Sequence, residues 1–411
     1  MNRLVERLFR YIAIDTQSAR GTGTFPSTEK QKNLGRLLVE ELQAMGITNA
    51  EMDEFGTVYA TIESSEGVSE SVPAIGFTAH MDTALELPGV GIKARVIENY
   101  DGEDIVLNEE KNIIFKTSQF PRLKVYKGKD LVVADGTTLL AADDKAGVSE
   151  IMELAHILMT NPEIKHGVVK LCFTCDEEIG QSTQHLNLEK FNPNFAYSLD
   201  GGEEGEFYYD NFNCGQADVT IHGKVAHTGY AKGRMVNASH LAMEFHSMID
   251  PLAIPANTAN REGFTHLSSL NSEVGMAKMV YLVRDHEMTL YTQKKENLQR
   301  IADFMNAKYG EGTVEINFKD IMYNMRDKIL ENPFIIDNAI DAMNELGIEP
   351  VVIPVRGGVD GAEITFMGLP CPNLFTGSDN CHTIYEYCCV QSMEKALALI
   401  LKLVENCVKK A

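Results

Sequence analysis

Three near-continuous apolar runs, "VPAIGFTA" at 72–79, "GVVKLCFTC" at 167–175 and "FAYSL" at 195–199, restrict this chain more than any other feature of its sequence. None keeps the strict alternation of a strand with one wet face, so each has to be covered on both sides. Helical patterns separate them. "EKQKNLGRLLVEELQAMG" at 29–46 and "AGVSEIMELAHILMTN" at 146–161 space their apolar residues for one helix face, and the opening "MNRLVERLFRYIAIDTQSAR" reads as an amphipathic helix. A further strand is expected at 57–62 ("TVYATI"). Buried strands separated by helices predict an α/β fold: a mostly parallel sheet with helices on both faces. Residues 87–130 lack periodicity and are expected to be extended and partly β.

Between about 213 and 321 the pattern changes to strand, helix, strand, strand, helix, strand. That β-α-β-β-α-β order can close its own small antiparallel sheet with two helices on one side. It predicts an inserted, smaller α+β domain at 213–321, with residues 1–212 and 322–411 forming the outer domain. A chain of 411 residues, 44% of them hydrophobic, has enough apolar material for two cores.

Charge narrows the function. Lys and Arg number 37 against 59 Asp and Glu, a formal net charge of −22 at pH 7 with no basic stripe, which excludes nucleic acid as an expected partner. No apolar run reaches the length of a membrane span, and the first residues lack the continuous apolar centre of a signal peptide, so a soluble, cytoplasmic protein is expected. The eight cysteines follow no disulfide or zinc-ribbon spacing, and "CFTC" at 172–175 lies inside an apolar strand without a second pair; buried free thiols in a reducing compartment are the expected state.

Functional groups of open α/β sheets gather where strands end at their carboxyl edge. The run ending at 79 is followed by His80 and Asp82, "TTLLAA" by Asp143 and Asp144, the run ending at 175 by Asp176, Glu177 and Glu178, "FAYSL" by Asp200, and "CPNLFTGSDNC" by His382. Any one of these could be a helix cap or a surface charge. Five segments delivering carboxylates and imidazoles to one edge would repel each other unless cations neutralised them. Oxygen and imidazole donors without thiolate suit zinc, manganese or cobalt at a catalytic site. One shared carboxylate would hold two such ions about 3.5–4 Å apart, and one of the adjacent acids Glu177 and Glu178 could serve as base to a water between them.

The motifs "TAHMDT", "DGTTLLAADDKAG", "FTCDEEIG", "SLDGGEEGEF", "HTGYAKGRMVNA", "PVRGGVDGAE" and "CPNLFTGSDNCH", in that order, resemble the peptidase T family. This is the aminotripeptidase branch of the two-zinc metallopeptidases, which also include carnosine-type dipeptidases and acylamino-acid deacylases. The resemblance runs from the first helix to past residue 385. It implies a zinc-exopeptidase-like catalytic domain, with the inserted domain as a lid or dimerisation element. It also implies two zinc ions, one on His80 and Asp200, the other on Glu178 and His382, with Asp143 bridging. Glu177 would be the general base and Asp82 would orient His80. His227 would steady an oxyanion, Arg356 would clamp a peptide carboxylate or carbonyl, and the Asp143–Asp144 bond would be cis. The expected activity is release of the N-terminal residue of short peptides, chiefly tripeptides, with a homodimer left open. The run "HTIYEYCC" after the last histidine, and Thr228 after His227, depart from the family pattern. The run after His382 favours an alternative substrate for the same chemistry, a dipeptide or an N-acyl amino acid. A binding module without catalysis would lack a ligand or base, and none is missing. A nucleotide-binding protein would need a phosphate loop, yet "GTGT" at 21–24 follows no strand.

Overall fold

The computed structural model describes residues 2–410. The chain forms two compact units, the first made of Met1–Tyr209, Lys328–Ile353 and Ile364–Ala411, the second of Asp210–Asp327 and Pro354–Glu363.

The first unit is built on an eight-stranded sheet in the order Glu51–Met52, Val58–Ile62, Val169–Thr174, Ile75–His80, Phe195–Gly201, Asn373–Phe375, Glu206–Tyr208, Val351–Val352. Its four central strands, from Val169–Thr174 to Asn373–Phe375, run parallel. Antiparallel pairings flank them on either side. The expected apolar runs supply three of these central strands, and Ile75–His80 is buried at every position. A parallel core forces all four carboxyl ends to one edge, where His80 and Asp200 stand.

Three helices matter for that edge: α1 (Arg3–Ile12), α2 (Gln31–Ala44) and α3 (Ala142–Thr160). Leu4, Val5, Leu8 and Ile12 of α1 pack with Ala142 and Ala146 at the start of α3. Gly147 lets α3 close on the sheet, since a Cβ there would lie 2.1 Å from the Leu199 carbonyl oxygen. "TTLLAA" is not a strand as its apolar character suggested. It is irregular, with Ala141 at φ 64°, and Asp143 and Asp144 lie outside helical φ/ψ, so Asp143 enters the edge from a helix start. The Asp143–Asp144 peptide is cis. Within 87–130 the chain is partly β, in the short strands Arg95–Ile97, Ile105–Asn108 and Ile113–Phe115.

The second unit pairs its strands as Phe264–Ser272, Met276–Asp285, Asn213–His222, Val314–Met322, all antiparallel. Helices Ala238–Ser247 and Met288–Tyr309 complete the β-α-β-β-α-β order. Ala217, Val219 and Ile221 alternate inward with Met279, Tyr281 and Val283 against Leu241, Phe245, Leu298 and Ile301. Each fully buried Val, Ile, Leu, Phe or Met among them contributes roughly 1.5–3 kcal/mol. The compact unit is wider than the expected 213–321, because Arg356 of the returning segment hydrogen-bonds to Thr258, Asn260 and Glu262.

Arg7 ties α1 to its neighbours. Its Nε donates to Glu153 on α3 at 2.9 Å and its Nη1 to Glu41 on α2 at 2.6 Å, while Tyr11 donates to the same Glu41 at 2.7 Å. Side chains of Arg7 and Glu153 are each 8% exposed, so removing the guanidinium costs two carboxylates a buried partner, although Glu153 keeps Arg3 and Glu41 keeps Arg10. Arg7→Ala is expected to destabilise the first unit by about 1.5–3 kcal/mol. Chemical denaturation read by circular dichroism checks this, and a loss below about 1 kcal/mol would mean that water replaces the guanidinium.

Candidate metal centre

Asp143 is the centre of the site. Its Oδ1 lies 3.0 Å from His80 Nε2 and its Oδ2 3.3 Å from His382 Nε2, so each carboxylate oxygen faces a different imidazole. His80 Nε2 also lies 3.8 Å from Asp200 and 3.9 Å from Glu177; His382 Nε2 lies 3.0 Å from Glu178. Two groups result, His80–Asp143–Asp200 and Asp143–Glu178–His382, each with one ligand atom per residue within 4.8 Å of the others, a set that could hold a metal ion. All five expected metal residues thus converge, although Asp143 arrives from a helix start and His382 from a loop residue at φ 63°.

The electrostatics fit cations. Burial alone would lower the His80 pKa, yet Asp143 and Asp82 raise it well above its ordinary value. Asp143 and Glu178 push that of His382 up to about 11. Burial raises Glu178, and it also opposes ionised Asp143, which the two imidazoles nevertheless hold below the ordinary carboxylate range. Raised imidazoles around a lowered central carboxylate mark a place that favours positive charge, which a metal ion would supply. Glu178 Oε1 is buried without a hydrogen-bond partner, an acceptor that a cation would satisfy.

Other acids act on the backbone. Asp82, fully buried, accepts from the backbone N–H groups of Glu177 at 3.0 Å and Glu178 at 3.2 Å, and its Oδ1 stands 3.4 Å from His80 Nδ1. It therefore positions the acid pair as well as the imidazole, which sequence reasoning did not anticipate. Asp144, beside Asp143 in the chain, turns inward and accepts from the N–H groups of His80 and Gly147, both at 3.2 Å. Asp176 turns away from Glu177 and Glu178. Its oxygens accept from Ser27 N–H, Ser27 Oγ and Gln31 Nε2 at 2.5–2.6 Å, with its own backbone at φ 62°. Glu86 places Oε2 3.6 Å from His382 Nδ1, a counterpart to Asp82 that no sequence signal marks.

Two expected substrate residues belong to the second unit. His227 Nδ1 accepts from Gly229 N–H at 3.2 Å, and its ring packs on Tyr230 at 5.4 Å. Arg356 donates to the Asn260 and Glu262 carbonyls and the Thr258 hydroxyl at 2.7–2.8 Å, over the rings of Phe212 and Phe264. Those bonds use both Nη1 hydrogens and one of Nη2, so Arg356 holds a loop of its own unit through one side of its guanidinium.

Residues 139–406 match the peptidase family M20/M25/M40. Peptidase T of Alkaliphilus oremlandii is 47% identical over 405 residues, covering 98% of this chain and 99% of that protein. Peptidase T of Caldanaerobacter subterraneus subsp. tengcongensis is 47% identical over 410 residues, 100% of both. Among solved structures, aminopeptidase PepT of Bacillus cereus superposes with a TM-score of 0.75 at 21% identity over 98% of each chain. Aminoacylhistidine dipeptidase of Vibrio alginolyticus superposes with a TM-score of 0.63 at 14% identity, over 97% of this chain and 96% of that one. At these identities the structural likeness is one of fold.

Asp176 gives the site's clearest mechanical test. An amide in its place presents NH2 to at least one of three buried donors, so Asp176→Asn is expected to lower stability by about 1–3 kcal/mol. Urea denaturation measures it, and an unchanged midpoint would show that the segment around Ser27 does not depend on this carboxylate.

Proposed function

The chain belongs to peptidase family M20/M25/M40, within its peptidase T branch, and we propose on that footing that it releases the N-terminal residue of short peptides, chiefly tripeptides. It is a peptide-bond hydrolase. The observation that carries the reading at the level of chemistry is Asp143, with one oxygen toward each of two imidazole-carboxylate groups.

Under this proposal His80, Asp143 and Asp200 hold one divalent cation and Asp143, Glu178 and His382 a second. Zinc is the proposed ion, and manganese and cobalt suit the same donors. Bound cations supply carbonyl polarisation and make a water acidic at neutral pH. Glu177 is the proposed general base, accepting a proton from the attacking water and returning it to the leaving amine as the C–N bond breaks. Asp82 aligns that base through the Glu177 N–H and orients His80. His227 is proposed to donate to the developing oxyanion. Among the described residues no helix is long and apolar enough to cross a membrane, and all eight cysteines are free, which supports a cytoplasmic setting as part of the proposal.

The test is hydrolysis of a free tripeptide, followed by the freed N-terminal amino acid, with native protein, chelated protein and Glu177→Ala. Chelation is expected to abolish turnover and zinc to restore it, while Glu177→Ala loses about 10²–10⁴-fold in kcat with normal metal content. Cleavage of an N-acetylated tripeptide or a dipeptide in preference to the free tripeptide would replace the aminotripeptidase reading with the dipeptidase or N-acyl-amino-acid alternative.

A further inference from the structure

Asp144 caps the regular part of α3 by accepting from Gly147 N–H, but the backbone just before it is irregular. Ala141 lies there in a left-handed conformation, φ 64°, with no side-chain acceptor for the N–H groups of this approach. A distant residue supplies that acceptor. Glu386, 3% exposed, accepts from the N–H groups of Leu140 at 2.8 Å and Ala141 at 2.9 Å through Oε2, and from Asp143 N–H at 3.0 Å through Oε1. Both carboxylate oxygens are occupied by the backbone that aims Asp143.

Glu386 stands four residues after His382, and the chain between them is knitted to itself. Thr383 Oγ1 donates to the Asn380 carbonyl at 2.8 Å and accepts from Tyr385 N–H at 3.0 Å, and Asn380 Nδ2 reaches the Tyr385 carbonyl at 3.3 Å. The next three residues form the strand Tyr387–Cys389, paired with Leu131–Val133 a few residues before α3. The His382 loop is therefore a closed turn, anchored beyond Glu386 by a strand and fastened by Glu386 to the Asp143 segment. His382 and Asp143 are two of the three residues of one candidate metal group.

We propose that Glu386 is a positioning residue that sets Asp143 against His382, so that the Asp143–Glu178–His382 group is arranged for a divalent cation before one binds. The proposal rests on the reading of those three residues as metal ligands. Any other acceptor would hold the approach to α3; an acceptor anchored in the His382 turn also fixes the spacing between two ligands. This separates Glu386 from a cap that only stabilises the fold, because its loss acts on metal affinity as well as on stability.

The experiment compares full-length wild type, Glu386→Gln and Glu386→Asp after chelation, titrating zinc against a competing chelator dye and measuring urea stability of the metal-free proteins. Gln has one acceptor oxygen for three donors, and Asp is one methylene short of them. Wild type is expected to bind two zinc ions. Glu386→Gln is expected to bind one of them about 10- to 100-fold more weakly, with Glu386→Asp in between, at a native-like circular dichroism spectrum. If Glu386→Gln does not fold, the shift in Glu386→Asp decides. Unchanged zinc dissociation constants in a folded variant of lowered stability would overturn the proposal and leave Glu386 a cap. Wild type that takes up no zinc, manganese or cobalt would remove the ligand reading itself, and the proposal with it.

Discussion

Everything at the site depends on one carboxylate being held between two imidazoles. Asp143 directs Oδ1 at His80 and Oδ2 at His382, and further acids stand around the same point. Such a gathering of negative charge is unfavourable in a partly buried place unless cations or protons balance it. The fold meets that demand geometrically. Parallel central strands bring His80 and Asp200 to one edge, and the start of α3 brings Asp143 between His80 and His382.

The acids around this point divide by what their oxygens touch. Asp82, Asp144, Asp176 and Glu386 accept hydrogen bonds from backbone N–H groups and so act as parts of the scaffold. Asp143, Glu178 and Asp200 direct oxygens at imidazole nitrogens, and a buried Glu178 oxygen is left without a hydrogen-bond partner. Adjacent residues fall on opposite sides of this division: Asp143 and Asp144 in one pair, Asp176 and Glu178 in one short run. Backbone conformation decides it. The left-handed φ at Ala141 and Asp176 and the non-helical angles at Asp143 and Asp144 send neighbouring side chains in different directions.

Arg356 teaches a related lesson. A guanidinium beside glycines in "PVRGGVDG" is as suited to backbone carbonyls as to a peptide carboxylate, since both accept its N–H fork. It holds carbonyls within its own unit, over two aromatic rings, and that arrangement depends on residues about a hundred positions away.

Sequence alone determined the periodicities and their punctuation. Apolar runs too continuous for a half-wet strand required a sheet covered on both faces, the β-α-β-β-α-β order marked a second small sheet, and acids and imidazoles at the ends of apolar segments marked a cation site, from which the family resemblance singled out five ligands. These were legible because burial and periodicity are local properties of the chain. Tertiary structure decided which acid of each pair faces the site, that "TTLLAA" is a helix approach instead of a strand, and that Glu86, Asp176 and Glu386 meet partners far along the chain. A carboxylate carries no local mark of its partner. Whether it becomes a ligand, a base or a cap is set by which backbone and side-chain groups folding brings within about 3 Å of it.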